Sequence, residues 1–432
     1  MASVCVHGLG YVGLPTAALL ANNGHDVSGF DVDDTVVEDL ARGEVRVSEP
    51  DLAAYIEDAL AAGTLAPSHE VVPADYHLVC VPTPLDHDAG RADLSYVEAA
   101  AEGIAAVLRE GDTVILESTV PPGTTGGPMR EALERTGLVA GEDFHLAYSP
   151  ETVLPGNILE ELRSNDRFVG GLDETSTERA YDLYAPCIDG TVGRAPTPRS
   201  AEFVKLVQNA YRDANIGFAN ELARIAGDYG VDAREAIDLA NRHSRVDILD
   251  PGPGVGGHCL PVDPLFLAHD SDSVRLIREA RRVNDGMADY VVGLVEGRLG
   301  TLDDRRVAVL GVAYKGNVDD VRNSPGLRVA RAIHDREVEP TVRAVPDGGV
   351  STAEVRLNDP HVDDGRHEFD LVSVEGALTG ADAMVVTADH DEYRDVDPVA
   401  AKRWMRTPLL VVTKGMLDEE EWRAAGFDVV GL

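Results

Sequence analysis

Lysine is nearly absent from this chain: Lys205, Lys315, Lys402 and Lys414 are the four among 432 residues. Arginine supplies the rest of the 38 basic side chains, against 76 aspartates and glutamates, leaving a net charge of −38. So few cations exclude general binding to nucleic acid, which needs clustered Lys and Arg. Cysteine is equally scarce. Cys5, Cys80, Cys187 and Cys259 lie far apart with no C-x-x-C pair, which argues against a disulfide framework or a zinc site and fits a reducing compartment. No run of eighteen apolar residues occurs, and the opening MASVCVHGLGYVG lacks the basic, apolar and small-residue order of a signal peptide. The expectation is a cytoplasmic protein with no membrane partner.

What is present is enough apolar material, 44% of residues, for two or three domains, each with its own core. Strand and helix signals alternate through the first segment: SVCVHGLG, a helix near Leu14 to Asn22, HDVSGFD, a helix across residues 34 to 42, YHLVCVPTP, a helix from Tyr96 to Leu108, DTVILEST and FHLAYSPE. That pattern predicts an α/β fold with a doubly wound parallel sheet. GTVGRAPTPRSAE, around residues 190 to 202, is punctuated by Gly and Pro and marks a boundary. Beyond it Phe203, Val207, Ala210, Ala214, Phe218, Leu222 and Ile225 recur at steps of three and four, which predicts a long spine helix. Sheet signals return at RVAVLGVAY, ADAMVVTAD and PLLVVTKG. The domains expected are a Rossmann domain over 1–197, a helical domain over 198–300 and a second Rossmann-like domain over 301–432.

Gly8, Gly10 and Gly13 form G-x-G-x-x-G with Leu9, Tyr11 and Val12 between them, directly after the strand Val4 to His7 and opening a helix. Glycines there permit a tight turn and close approach of backbone to a pyrophosphate at the helix N-terminus. Asp31 ends the second strand about 20 residues on, where a carboxylate accepts from an adenosine ribose and repels a 2′-phosphate. NAD is therefore the expected cofactor. Thr83 in VPTP and Ser118 with Thr119 in ESTVPPGTT follow later strands on the same carboxyl edge, as cofactor or substrate contacts or as helix caps.

The segment GPGVGGHCLPVDP sets Cys259 after two glycines and a histidine, as though a tight loop presents it. A thiol near NAD can add to an aldehyde, and the hemithioacetal can lose a second hydride to become a thioester that water opens to an acid. Asp263, four residues on, could orient or deprotonate that water. Lys205 and Asn209, at i and i+4 of the spine helix, could aim a cation and an amide at the oxyanion. His258 has no second His or Cys at metal-ligand spacing, so it is read as loop structure or a substrate contact, with no metal.

GLGYVGLP, VPTP, ESTVPPGTT, YSPE, AEFVKLVQNAY, GPGVGGHCLPVDP and LGVAYKGNVDDVRNSP occur in this order from end to end. Together they resemble the UDP-glucose/UDP-N-acetylmannosamine dehydrogenase family. The resemblance implies an N-terminal NAD domain, a helical dimerisation core, a C-terminal domain for the UDP half of the substrate, and oxidation of C6 from alcohol to acid with two NAD per sugar. It also implies that Cys259 is the nucleophile, Asp263 acts on water, Lys205 and Asn209 hold the oxyanion, Glu151 is an active-site carboxylate and Thr119 holds a catalytic water. Lys315 and Arg322 fall where the family contacts the nucleotide sugar, and Arg245 matches an arginine that reaches the partner subunit's site, or else is a surface ion-pair residue.

Three positions depart from the family pattern. Val262 stands where glucose-type members carry lysine, Thr152 where the acetamido-sugar branch has arginine, and Gly316 where proline is common. The PGVGGHC wording is similar to the acetamido-sugar branch, so the expected substrate is UDP-N-acetylmannosamine, with UDP-N-acetylglucosamine or UDP-glucose as alternatives. A catalytically silent NAD-sensing scaffold is the reading from another class, and it leaves the thiol, lysine, asparagine and aspartate without purpose. The acidic composition is similar to that of salt-accumulating halophiles, whose solvated carboxylates depend on screening ions.

Overall fold

The structure, a computed structural model, describes residues 1–47, 49–86, 91–151, 153, 156–335, 353–363 and 365–432. Thr152 lies outside the described residues. The chain forms two compact units, Met1–Gln208 with Asp263–Ser273, and Asn209–Val262 with Val274–Leu432.

The first unit is built on an eight-stranded sheet. Its strands are β1 (Ser3–His7), β2 (Asp26–Phe30), β3 (Leu65–Ser68), β4 (Tyr76–Val79), β7 (Thr113–Leu116), β8 (His145–Tyr148), β9 (Arg167–Gly171) and β10 (Val192–Arg194); β5 (Leu85–Asp86) and β6 (Arg91–Ala92) make a separate antiparallel pair. The order is β10-β9-β8-β7-β4-β1-β2-β3. β1 and β4 are central, and the strands are parallel from β3 through β8. β9 pairs antiparallel with β8, so the sheet is mixed at that side. Apolar clusters cover both faces. One contains Leu19, Leu20 and Leu78, the other Ile104, Leu116 and Phe144, all fully buried. Each such side chain stabilises the fold by about 2 kcal/mol.

The second unit carries a five-stranded, all-parallel sheet of β11 (Arg306–Leu310), β12 (Glu354–Asn358), β13 (Ala383–Val386), β14 (Leu409–Val412) and β15 (Asp428–Gly431), in the order β12-β11-β13-β14-β15. Clusters around Val309 and Val411 on one face and around Met384 and Trp422 on the other make it doubly wound as well.

The spine helix spans Pro198–Tyr229, 32 residues. Its later turns are tied to the helix Arg275–Asp285 by polar groups that replace an apolar seam. Asp213 accepts from Arg281 at 2.7 Å and from Asn284 at 2.8 Å, and Asn284 in turn accepts from Asn220 at 2.8 Å. Gly217 lets the two backbones meet: a Cβ there would sit 3.0 Å from the Ala280 side chain. The apolar repeat of the spine faces outward in part, since Phe203, Val207, Phe218 and Ile225 are exposed.

Candidate active site

The carboxyl edge of the first sheet is shaped for a dinucleotide. Gly8 adopts φ +92°, and a Cβ there would lie 2.6 Å from the Cys80 carbonyl oxygen. A Cβ on Gly13 would collide with the Gly8 carbonyl, whereas one on Gly10 meets nothing within 4 Å. The loop is thus pressed against the sheet at its first and last glycine and bare at the middle one, ahead of the helix Gly13–Asn22. Backbone N–H groups at such a helix start hold phosphate. Asp31 accepts from the Leu9 N–H at 2.7 Å and from the Asp33 N–H at 2.9 Å, which leaves lone pairs on both oxygens for ribose hydroxyls. Tyr11 is exposed and Val12 half-buried. These residues fit a bound NAD.

Thr83 and Thr119 belong to loops that bond to one another. The Thr83 hydroxyl donates to the Thr119 carbonyl at 2.6 Å, and the Ser118 hydroxyl to the Val81 carbonyl at 2.7 Å. Neither side chain caps a helix; both stitch two strand ends. Glu202, on the first turns of the spine, fastens the adjoining Pro-Pro-Gly turn by accepting from the N–H groups of Gly123 and Thr125 and from the Thr125 hydroxyl. Burial raises its carboxyl above the ordinary range.

Beside this edge the first unit collects buried charge. Glu151, Lys205 and Asp263 are 7%, 6% and 3% exposed. Burial pushes the Glu151 carboxyl up to about 7; Lys205 and Arg167 oppose the rise, and Glu117 and Asp263 add to it. A group poised near neutrality can both take and return a proton. Sequence reasoning missed Glu117 and Arg167. Both lie next to apolar strand runs, where a charge carries no periodic signal.

In the second unit the glycines of the Cys259 segment have a visible cause. A Cβ on Gly256 would lie 2.7 Å from Tyr314 Cβ and 2.9 Å from the Asn323 carbonyl, and one on Gly257 would press on the Tyr314 ring. The Gly257 N–H donates to the Arg322 carbonyl at 2.8 Å, and Asn323 Nδ2 to the Gly257 carbonyl at 2.9 Å. At the other end the Gly252 N–H donates to Asn220 on the spine at 2.8 Å.

Cys259 itself departs from the expectation of a loop-borne thiol: it opens the helix Cys259–Phe266. Pro261 falls in the first turn, where a missing N–H costs nothing. Cys259 therefore sits at the positive end of the helix. Asp263 follows at i+4 on the same helix, and Val262 is buried between them.

Around Cys259 stand Tyr314, whose phenol burial pushes up to about 12 with Asp320 and Cys259 adding to the rise, and Arg322, exposed and bonded to Asp320 at 2.6 Å. The arginine expected at a diphosphate is thus already paired with a carboxylate. His258 is held below the ordinary imidazole range by lost solvation and by Arg322. Lys315 is exposed, and Gly316 donates its N–H to Asp389 at 3.1 Å, a bond that the more common proline lacks. Lys414, unremarked in the sequence, lies by the base of the loop: a Cβ on Gly252 would be 3.6 Å from its Nζ. Burial lowers its pKa while Asp389 opposes. Arg245 is exposed in the loop after the helix Ala233–Asn241, its N–H on His243. The structure thus gathers Glu151, Lys205 and Asp263 in one unit and Cys259, His258 and Arg322 in the other.

Among the described residues two clusters have metal-ligand chemistry, Cys5 with His7 and His77, and His361 with His390 and Glu392. In the first the imidazoles bond each other at 3.3 Å, and burial holds them neutral, with pKa values lowered to about 3 and about 4. Their outer nitrogens, His7 Nδ1 and His77 Nε2, have no partner, whereas a metal-bound imidazole normally donates its outer N–H. In the second, His390 uses both nitrogens, one on the Asn317 N–H and one on Asp359. Neither cluster fits an ion.

Two doubly wound sheets, one with a dinucleotide cradle, define a class: a nucleotide-dependent oxidoreductase. Family models agree with that class. The NAD binding domain, central domain and UDP binding domain of the UDP-glucose/GDP-mannose dehydrogenase family match residues 2–188, 199–286 and 308–419. The chain belongs to this family. It is 39% identical to a UDP-N-acetyl-D-mannosamine dehydrogenase of Methanocaldococcus jannaschii, across 99% of this chain and 95% of the relative. It is similar to the solved UDP-N-acetyl-D-mannosamine dehydrogenase of Pyrococcus horikoshii (TM-score 0.89, 38% identity, 99% and 98% of the chains covered). It is also similar to a UDP-glucose dehydrogenase of Pyrobaculum islandicum (TM-score 0.85, 31% identity, 100% and 97% covered). Its cofactor is NAD and its substrate a UDP-sugar. No helix among the described residues is long and apolar enough to cross a membrane.

Proposed function

We propose that the chain oxidises C6 of UDP-N-acetyl-D-mannosamine to the carboxylate through a thioester on Cys259. The observation that carries the chemistry is a thiol at the first position of a short helix with a buried carboxylate, Asp263, one turn later. The choice of sugar is supported by the names of the similar proteins and by Val262, which puts an apolar side chain where glucose-type members carry lysine.

NAD, held by Gly8 to Gly13, Asp31, Thr83 and Thr119, supplies the hydride acceptor, two per sugar. Glu151 exchanges a proton at the C6 oxygen, and Lys205 with Asn209 holds the charge that develops there. The Cys259 sulfur then bonds to the aldehyde carbon; loss of hydride from this adduct leaves a thioester. Thr119 holds the water that attacks it and Asp263 takes the water's proton. The C–S bond breaks, and thiol and carboxylate part. Lys315 pairs with the diphosphate, Arg322 joins it on exchanging Asp320 for a phosphate oxygen, and His258 contacts the sugar.

The working parts are a cofactor domain over 1–197, a helical domain over 198–300 and a UDP-sugar domain over 301–432. The outward apolar face of the spine, Phe203, Val207, Tyr211, Phe218 and Ile225, suits a second copy of the chain, with Arg245 reaching the partner's site. The acidic surface suits a cytoplasm rich in salt.

Relative kcat/KM for UDP-N-acetylmannosamine and UDP-glucose, in the same molar KCl, tests the substrate. A site that hydrogen-bonds an acetamido group leaves its polar groups unpaired on glucose, a mismatch that costs factors of roughly 10⁴. Equal values, or a preference for glucose, would refute this reading.

A further inference from the structure

Directly beneath the cofactor edge lies a buried ion pair that the scheme above does not use. Glu117 is the first residue after β7. Its Oε1 accepts from Arg167 Nη1 at 2.8 Å and from the Tyr184 hydroxyl at 2.6 Å, and its Oε2 from the Cys80 thiol at 3.1 Å. Glu117, Arg167 and Tyr184 are 1%, 2% and 0% exposed, and the guanidinium lies 4.6 Å from the Tyr184 ring centre. Cys80 touches the glycine loop from below: a Cβ on Gly13 would be 3.0 Å from its own. Glu117 also precedes the Ser118–Thr119 stitch. An apolar filling of this space would stabilise the fold as well or better, because desolvating two charges offsets most of their attraction. Stability alone therefore gives no reason for the pair.

We propose that Glu117 and Arg167 are positioning residues that balance charge behind Glu151. The charged groups that act most strongly on Glu151 are Lys205 from the spine, Arg167 from β9, Glu117 from the end of β7 and Asp263 from the helix Cys259–Phe266. Two are cations and two are carboxylates, and the buried pair, held together at 2.8 Å, supplies one of each. Removing one member of the buried pair leaves the other uncompensated in a medium of low dielectric. Arg167 without Glu117 draws Glu151 toward the carboxylate, and Glu117 without Arg167 drives it toward the acid. Tyr184 contributes geometry without charge. The inference rests on the reading that Glu151 exchanges a proton during turnover.

The test compares Glu117→Gln, Arg167→Met, their double variant and Tyr184→Phe, in molar KCl, by two readouts. The first is the pH profile of kcat/KM, with Glu151→Gln identifying which inflection belongs to Glu151. The second needs no turnover: the pH at which Glu151→Gln begins to differ in thermal stability, measured in each background. The Glu151 inflection is expected to fall by about one pH unit in Glu117→Gln and to rise by about one in Arg167→Met. The double variant should return to within a few tenths of wild type, and Tyr184→Phe should not move it. A purely structural pair would lower kcat in both single variants without opposite shifts. Shifts of the same sign, or none, overturn the proposal. If Arg167→Met does not fold, Arg167→Lys keeps the charge and must leave the inflection in place while Glu117→Gln lowers it. If Glu151→Gln removes no kinetic inflection, the catalytic reading of Glu151 fails, and the thermal readout still decides the charge balance.

Discussion

Asp31 accepts a hydrogen bond from the Leu9 N–H at 2.7 Å, so the carboxylate directly after β2 braces the glycine loop. Asp31→Ala should raise the KM for NAD at least tenfold and change kcat by only a few-fold, because the loss falls on binding rather than on the reacting carbon. Initial rates with NAD varied at saturating sugar check this. An unchanged KM would remove Asp31 from the cofactor site.

The thioester route fixes a stoichiometry. Two NADH should form per sugar consumed, with little free aldehyde, because the thiol traps it. Cys259→Ala should abolish acid formation while NAD affinity stays within a few-fold. Acid formed at near wild-type rate by this variant would contradict the scheme.

Glu151 makes stability depend on pH in a stated direction. Its carboxyl is raised in the folded state, from 4.5 to about 7, so the folded chain holds a proton that the unfolded chain releases. The contribution is complete below about 4.5 and is lost as pH rises through 7. Glu151→Gln should therefore melt higher than wild type at pH 8, by on the order of 3 kcal/mol, and equal it at pH 4.5. Thermal melts at the two pH values in molar KCl decide it.

Phe218 and Ile225 are about half exposed on the spine although both are large and apolar. Phe218→Asp should leave each chain folded and halve the mass seen by light scattering, because a carboxylate opposes burial of that face. A mass that does not change would place the assembly surface elsewhere.

With 38 excess carboxylates, screening matters to the whole molecule. The Debye length grows from roughly 3 Å at 1 M to about 30 Å at 0.01 M, so cooperativity and activity should fall on dialysis into dilute buffer. Full activity in 10 mM buffer would make the acidity incidental.

The strands legible in the sequence are the inner ones. β1, β2, β4, β7 and β8, and later β11, β13 and β14, all stood out as apolar runs. Those overlooked were β3, β9 and β10 in the first sheet and β12 and β15 in the second, the outer positions of each. An edge strand such as EVRLN in β12 is half solvated and mixes polar with apolar residues, so its period is blurred. The site divided in the same way. Gly8 to Gly13, Asp31 and Cys259 were legible because spacing and residue type carry their chemistry. Glu117, Arg167, Tyr184 and Lys414 were not, because contacts between residues far apart in the chain leave no mark in a local window.

The first acidic residue after the second strand recurs in the second sheet with a different fate. Asp359 follows β12 and accepts from the N–H groups of Val312 and Ala313 at 2.7 and 2.9 Å, as Asp31 does from Leu9. It also takes His361, Val362 and His390, which holds it below the usual carboxylate range. With five donors on two oxygens it has no capacity left for a ribose.

The placement of the four lysines has a practical side. Lys205 is buried and Lys414 partly so, whereas Lys315 and Lys402 are exposed. Amine-directed dyes, cross-linkers or resin would attach mainly at Lys315, Lys402 and the N-terminus, and Lys315 lies in the segment proposed to hold the diphosphate. An enzyme immobilised in this way would lose substrate affinity in proportion to the label it carries. Attachment through the abundant surface carboxylates would spare that segment and bring the net charge closer to zero at the same time.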